Sequence, residues 1–172
     1  IDYNTIASKG NSIDFGNSTS SRAWGAGMSS STRGINAGGY PGTSNVIDYI
    51  EIATTGNAVD FGDLPNIKES CSGMSSPTRG IIGPGMSPSW VPTIDYITIS
   101  SKGNALKFGT IGELRGLGAA ANTTRGLFAG GKSPGQQNLN TIYMITIAST
   151  GTHEAFGELT KGRRKPAGAS TS

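Results

Sequence analysis

The sequence predicts an all-β fold, a β-propeller of about four blades, each of four short antiparallel strands, with one strand missing from the set. Three observations lead there. Glycine, serine and threonine supply 27, 21 and 18 of the 172 residues, and all three are poor helix formers. Ile-Asp-Tyr occurs at Ile1, Ile47 and Ile94, with a decayed Ile-Tyr-Met at Ile142, so that the starts lie 46, 47 and 48 residues apart. Each copy reaches Phe-Gly fourteen residues later, at Phe15, Phe61, Phe108 and Phe156, and Thr-Arg-Gly follows with its arginine at Arg33, Arg79 and Arg125. That period is the length of a four-stranded blade. The single domain 1–172 divides into copies 1–46, 47–93, 94–141 and 142–172, the last stopping where its Thr-Arg-Gly is due.

The elements follow in order within a copy. In the second, Ile47 to Ile52 forms a strand, ended by Thr54-Thr55-Gly56-Asn57. Ala58 to Phe61 forms the next, and Gly56-Asn57 joins the two as a hairpin turn, because both residues tolerate positive φ. A small-residue strand surrounds Cys71 to Met74, and Thr78 to Gly83 makes the fourth, closed by Pro84-Gly85. Along Ile94 to Ile99, Ile94, Tyr96 and Thr98 share one face and Asp95, Ile97 and Ile99 the other. Both faces are largely apolar, so both are expected to be covered, as they are when sheets stack around an axis. The small residues Gly118 to Ala121 and Gly126, Ala129, Gly130 and Gly131 fit where sheets converge.

Composition excludes several classes. No apolar run is long enough for a transmembrane helix. Only Cys71 and His153 represent their residue types, so no intrachain disulfide and no ordinary zinc site can form. The chain carries a net charge of +3, but residues 1–157 hold ten basic and ten acidic side chains; the excess comes from Lys161, Arg163, Arg164 and Lys165 near the C-terminus. One short cluster is not the basic stripe that nucleic acid requires. No cofactor, nucleic acid or membrane insertion is expected.

The arginine-led strand ending in Gly38-Gly39 or Gly130-Gly131, the tyrosine at Tyr40, a variable loop, a strand carrying Tyr49 or Tyr96, and the aromatic Phe61, Phe108 or Phe156 resemble the kelch repeat of β-propellers. Kelch repeats favour tryptophan at that last place, and the second copy departs with Gly83-Pro84-Gly85. The wording of the repeats is also similar to kelch-like repeats in structural proteins of marine and cyanobacterial phages. That resemblance implies a virion or extracellular setting. In kelch order the chain begins at a third strand and ends after a first strand, giving fifteen strands. The missing strand is expected from residues beyond Ser172, the simpler reading, from a neighbouring subunit, or not at all; left unfilled, its position exposes backbone donors and acceptors, which invites strand addition by another chain.

No catalytic constellation stands out, so the chain is expected not to be an enzyme. Arg33, Arg79 and Arg125 would form either an anion-binding ring or braces between blades, and recurrence in every complete copy favours braces. Asp2, Asp48 and Asp95 recur in the same way, with Tyr143 in the fourth copy. Trp24 and Trp90 break the repeat symmetry and, with the loop at Tyr40, are candidates for stacking on a sugar or anchoring a protein. The expected role is a non-enzymatic structural module of a phage fibre or extracellular filament, self-assembling or joining other virion proteins. A glycan- or receptor-binding adhesion module is the alternative.

Overall fold

The computed structural model describes residues 1–41, 44–135 and 137–168. The loops 40–45 and 132–140 and the last strand of the chain therefore fall in part outside the described residues. Within them there are sixteen strands and no helix. A hairpin of β1 (Asp2–Tyr3) and β2 (Ile13–Asp14) comes first. The first sheet is a meander of β3 (Ala26–Ser29), β4 (Arg33–Ala37), β5 (Val46–Glu51) and β6 (Val59–Asp63). The second contains β7 (Gly73–Ser75) and β8 (Arg79–Ile82). After an inserted hairpin, β9 (Gly85–Met86) and β10 (Trp90–Val91), it resumes with β11 (Thr93–Thr98) and β12 (Leu106–Thr110). The third is β13 (Gly118–Ala121), β14 (Arg125–Ala129), β15 (Thr141–Thr146) and β16 (Glu154–Glu158). Every ladder is antiparallel, and the same bulge recurs after Ile47, Ile94 and Ile142.

The sheets stack face to face, with a core between each pair. One core joins Met28, Ile35, Ile47 and Phe61 of the first sheet to Ile82, Ile97, Ile99 and Ala105 of the second. The other joins Met74, Ile81, Ile94 and Phe108 of the second to Phe128, Ile145 and Ile147 of the third. The second sheet is thus covered on both faces, as its apolar alternation requires. Each fully buried isoleucine contributes about 1.5–3 kcal/mol. The small residues have a steric reason. Met28 sits on Gly80 of the next sheet and Met74 on Gly126, where a Cβ would overlap the sulfur. Gly73 meets the backbone of Gly27 in the same way, so the first strands of successive sheets lie directly against one another.

Two expectations change. Gly56 and Asn57 do not make the hairpin turn, and neither has positive φ. They reach the sheet before: the Gly56 N–H donates to the Phe15 carbonyl at 2.8 Å, and Gly103 and Gly151 repeat the bond to Phe61 and Phe108 at 2.9 and 3.1 Å. Asn57 Oδ1 accepts from the Asn17 N–H, and Asn104 Oδ1 from the Asp63 N–H, each at 2.9 Å. The strand inventory also differs from the fifteen expected. It includes the inserted β9–β10 hairpin, while residues 166–168 run beside β13 without forming a ladder.

Among the described residues no strand pairing joins the third sheet to the N-terminal hairpin, and the hairpin makes no hydrogen bond to that sheet. Phe156 is 53% exposed, whereas Phe15, Phe61 and Phe108 are at most 8% exposed beneath the turn that follows each of them.

The glycine seats give a direct test. Gly126→Val, which displaces Met74, is expected to destabilise the fold by about 1–3 kcal/mol in urea unfolding. Gly34→Val, which faces only Ile50 of its own sheet, is expected to cost clearly less.

Candidate functional site

The recurring arginines act between sheets. Arg33 lies over the Tyr49 ring at 4.8 Å, pairs with Glu51 at 2.9 Å, and donates to the Ile99 carbonyl of the second sheet at 2.9 Å. Arg79 lies over Tyr96 at 4.6 Å and donates to the Ile147 and Ala148 carbonyls of the third sheet at 3.0 and 2.8 Å. Arg125 is exposed, and among the described residues its guanidinium makes no hydrogen bond. A guanidinium offers several donors in one plane, so a single side chain can span the gap between sheets and stack as well.

The recurring aspartates have partners that carry no repeated residue letter. Asp48 pairs with Arg22 at 2.6 Å, and both side chains are 2% exposed. Arg22 also donates to the Val46 and Gly38 carbonyls at 2.7 and 3.1 Å. Asp95 pairs with Lys68 at 2.5 Å, buried just as deeply, and Lys68 donates to the Thr93 carbonyl at 2.6 Å. Burial pulls the Lys68 ammonium below the usual lysine range, against the opposing pull of Asp95. In the third sheet both partners change together. Leu114 stands where Arg22 and Lys68 stand, Tyr143 replaces the aspartate, and the two belong to one apolar cluster. Cys71, behind Lys68, is buried, and burial pushes its thiol up to about 11, which disfavours the reactive thiolate.

The double glycines hold these cations in place. The Gly39 N–H donates to the Lys68 carbonyl and the Gly131 N–H to the Arg163 carbonyl, both at 2.8 Å. Gly39 and Gly131 have φ of +118° and +92°, which only glycine adopts without strain. Arg163 thus occupies the backbone position of Lys68 two repeats further on.

Two residues past Arg22, Lys68, Leu114 and Arg163, the chain enters the left-handed region. This happens at Trp24, Ser70, Gly116 and Lys165, with φ of +60°, +53°, +61° and +51°. Gly116 N–H donates to the Ser70 carbonyl at 2.8 Å and Lys165 N–H to that of Gly116 at 2.7 Å. Lys165 Nζ in turn lies 4.6 Å from the Trp24 ring centre, so the C-terminal segment reaches the first sheet.

Here two of the candidates meet. Trp24 stacks on Tyr40 with ring centres 5.6 Å apart and planes 24° apart, and each is about half exposed. Trp90 stands apart on β10, with the Arg115 guanidinium 5.1 Å from its ring. Arg115, Lys132 and Lys165 line a cleft of about 250 Å³ beside Trp24. Basic groups next to an open aromatic platform suit an anionic or sugar-like ligand. His153 Nδ1 lies 3.1 Å from the Thr110 carbonyl, and its ring packs edge-on against Tyr143.

The paired change in the third sheet sets an experiment. Asp95→Ala leaves Lys68 buried and unpaired and is expected to cost about 3–5 kcal/mol. The double variant Lys68→Leu/Asp95→Tyr, which copies the third sheet, is expected to recover most of that loss in urea denaturation.

No family model and no curated protein matches this chain.

Proposed function

We propose that the chain is a kelch-like β-propeller module with a structural, non-enzymatic role, assembling through its open sheet edges and loops in a phage fibre or extracellular filament. One observation carries this reading. The repeated arginines and aspartates of the first two sheets are consumed in holding strand to strand or sheet to sheet, while among the described residues the same interface is uncovered at both ends of the array. At one end stand Phe156 and Arg125, and at the other the tip of the N-terminal hairpin, where Ile6 is fully exposed. Heterologous faces of this kind build rings or filaments from identical units.

A second reading rests on the Trp24–Tyr40 stack and its cationic surround. It makes the module a glycan or receptor binder that prefers acidic sugars.

Size-exclusion chromatography with light scattering and negative-stain electron microscopy test the first reading. Concentration-dependent oligomers or filaments are expected, and a monodisperse monomer at every concentration would defeat it. For the second, an array of acidic glycans is expected to give hits that fall at least about tenfold with Trp24→Ala. An array without hits on folded protein removes it.

A further inference from the structure

One face of the first sheet has no counterpart in the other two. Isoleucines in equivalent positions of the second and third sheets, Ile97 with Ile99 and Ile145 with Ile147, are at most 2% exposed, because the sheet before covers them. In the first sheet Ile50 is half-buried and Ile52 is 45% exposed. Ile50 borders a groove of about 520 Å³ also lined by Ile1, Gly34, Asn36, Asp48 and Ala58. Ile1 opens the N-terminal hairpin, in which β1 pairs with β2 on one edge; among the described residues no strand pairs with its other edge.

The second strand of a complete sheet shows what such a groove accepts. Opposite β5, the strand Arg33–Ala37 pairs Gly34 with Ile50 and Ile35 with Tyr49. Arg33 caps Tyr49 and bonds the Ile99 carbonyl of the next sheet. Arg79 does the same with Tyr96 and the Ile147 carbonyl. Ile35 packs in one cluster with Ile97 and Ile99.

Each of those acceptors recurs at the groove. Tyr3 matches Tyr49 and forms the same edge-on pair with Phe15 that Tyr49 forms with Phe61. Among the described residues no guanidinium lies over Tyr3, and the Ile52 carbonyl accepts no hydrogen bond from an arginine. Flanking charges recur as well. Arg22 with Asp48, and Lys68 with Asp95, join the lead of a first strand to the third strand of the same sheet. In the order of the repeat, Arg163, held by Gly131 as Lys68 is held by Gly39, and Asp2 on β1 are the corresponding residues.

We propose that this groove is a strand-acceptor site for an extended segment of the pattern arginine–glycine–aliphatic. The segment adds antiparallel to β1, with its arginine opposite Thr5, its glycine opposite Asn4 and its aliphatic residue opposite Tyr3. The guanidinium covers the Tyr3 ring and donates to the Ile52 carbonyl, and the aliphatic side chain packs on Ile50 and Ile52. Main-chain bonds supply affinity, and the arginine and aliphatic seats supply selectivity. The site rests on the reading of the chain as an assembling module and names the chemistry of one contact.

A synthetic peptide with the sequence Ser31 to Gly39 is the probe, titrated into the 172-residue chain by calorimetry. One equivalent is expected to bind and to raise the melting temperature. The peptide carrying Arg33→Ala is expected to bind at least about tenfold more weakly. Tyr3→Ser in the chain is expected to cause a similar loss and Tyr3→Phe to retain binding. Ile52→Ser, remote from the hairpin fold, reads the aliphatic seat independently. No binding at millimolar peptide, or equal binding of the parent and Arg33→Ala peptides, overturns the site. A chain that forms oligomers yet ignores the peptide removes this contact and leaves the assembly reading standing. A chain that binds the peptide yet stays monomeric does the reverse.

Discussion

The seat that Gly80 and Gly126 make for a methionine of the preceding sheet sets the distance between sheets, and the rest of the structure depends on that distance. A four-stranded sheet this small is marginal alone. Only when two backbones approach closely do Ile35, Ile97 and Ile99, or Ile81, Ile145 and Ile147, close into continuous cores. The same approach brings Arg33 within reach of Ile99, and Arg79 within reach of Ile147. It also brings each rim turn against the phenylalanine strand before it. A side chain in those seats would therefore loosen three kinds of contact at once.

The charged groups belong to the same economy of packing. Arg22 with Asp48 and Lys68 with Asp95 tie the lead into a first strand to the third strand of the same sheet, at sites from which water is excluded. The third sheet performs that task with Leu114 and Tyr143 inside an apolar cluster. Ion pair and apolar pair are alternative solutions to one geometric problem, which agrees with the small net difference between buried ion pairs and hydrophobic replacements of similar volume. It also explains why the repeated aspartates need no chemical role.

Much of this was readable from the residues alone. The period and the small antiparallel sheets follow from the spacing of Ile-Asp-Tyr, Phe-Gly and Thr-Arg-Gly, and the two covered faces of the second sheet from the apolar alternation of Ile94 to Ile99. The recurrence of Arg33 and Arg79 pointed to braces. What stayed hidden lacks a repeated letter. The partners of the aspartates are an arginine, a lysine and, with the tyrosine, a leucine. The left-handed position is filled by Trp24, Ser70, Gly116 and Lys165, and its conformation is imposed by the bonds of neighbouring backbone rather than by the residue. Gly56 and Asn57 resembled a turn because local propensity favours one, yet their backbone and side-chain groups serve the sheet before them. The meeting of Trp24 with Tyr40 depends on the Ala23–Tyr40 bridge that extends the β3–β4 pairing, which spacing alone does not reveal.

The rim bonds have a direction. The turns at Gly56, Gly103 and Gly151 give their N–H to the strand before them, Arg33 and Arg79 reach forward to the sheet after them, and neither contact has a mirror-image version. The two faces of a repeat are therefore different, and the rear of one copy meets the front of the next. A chain made this way lengthens by in-frame duplication of a single unit without new complementarity having to arise. The boundary between one molecule and the next is then fixed by covalent continuity rather than by shape.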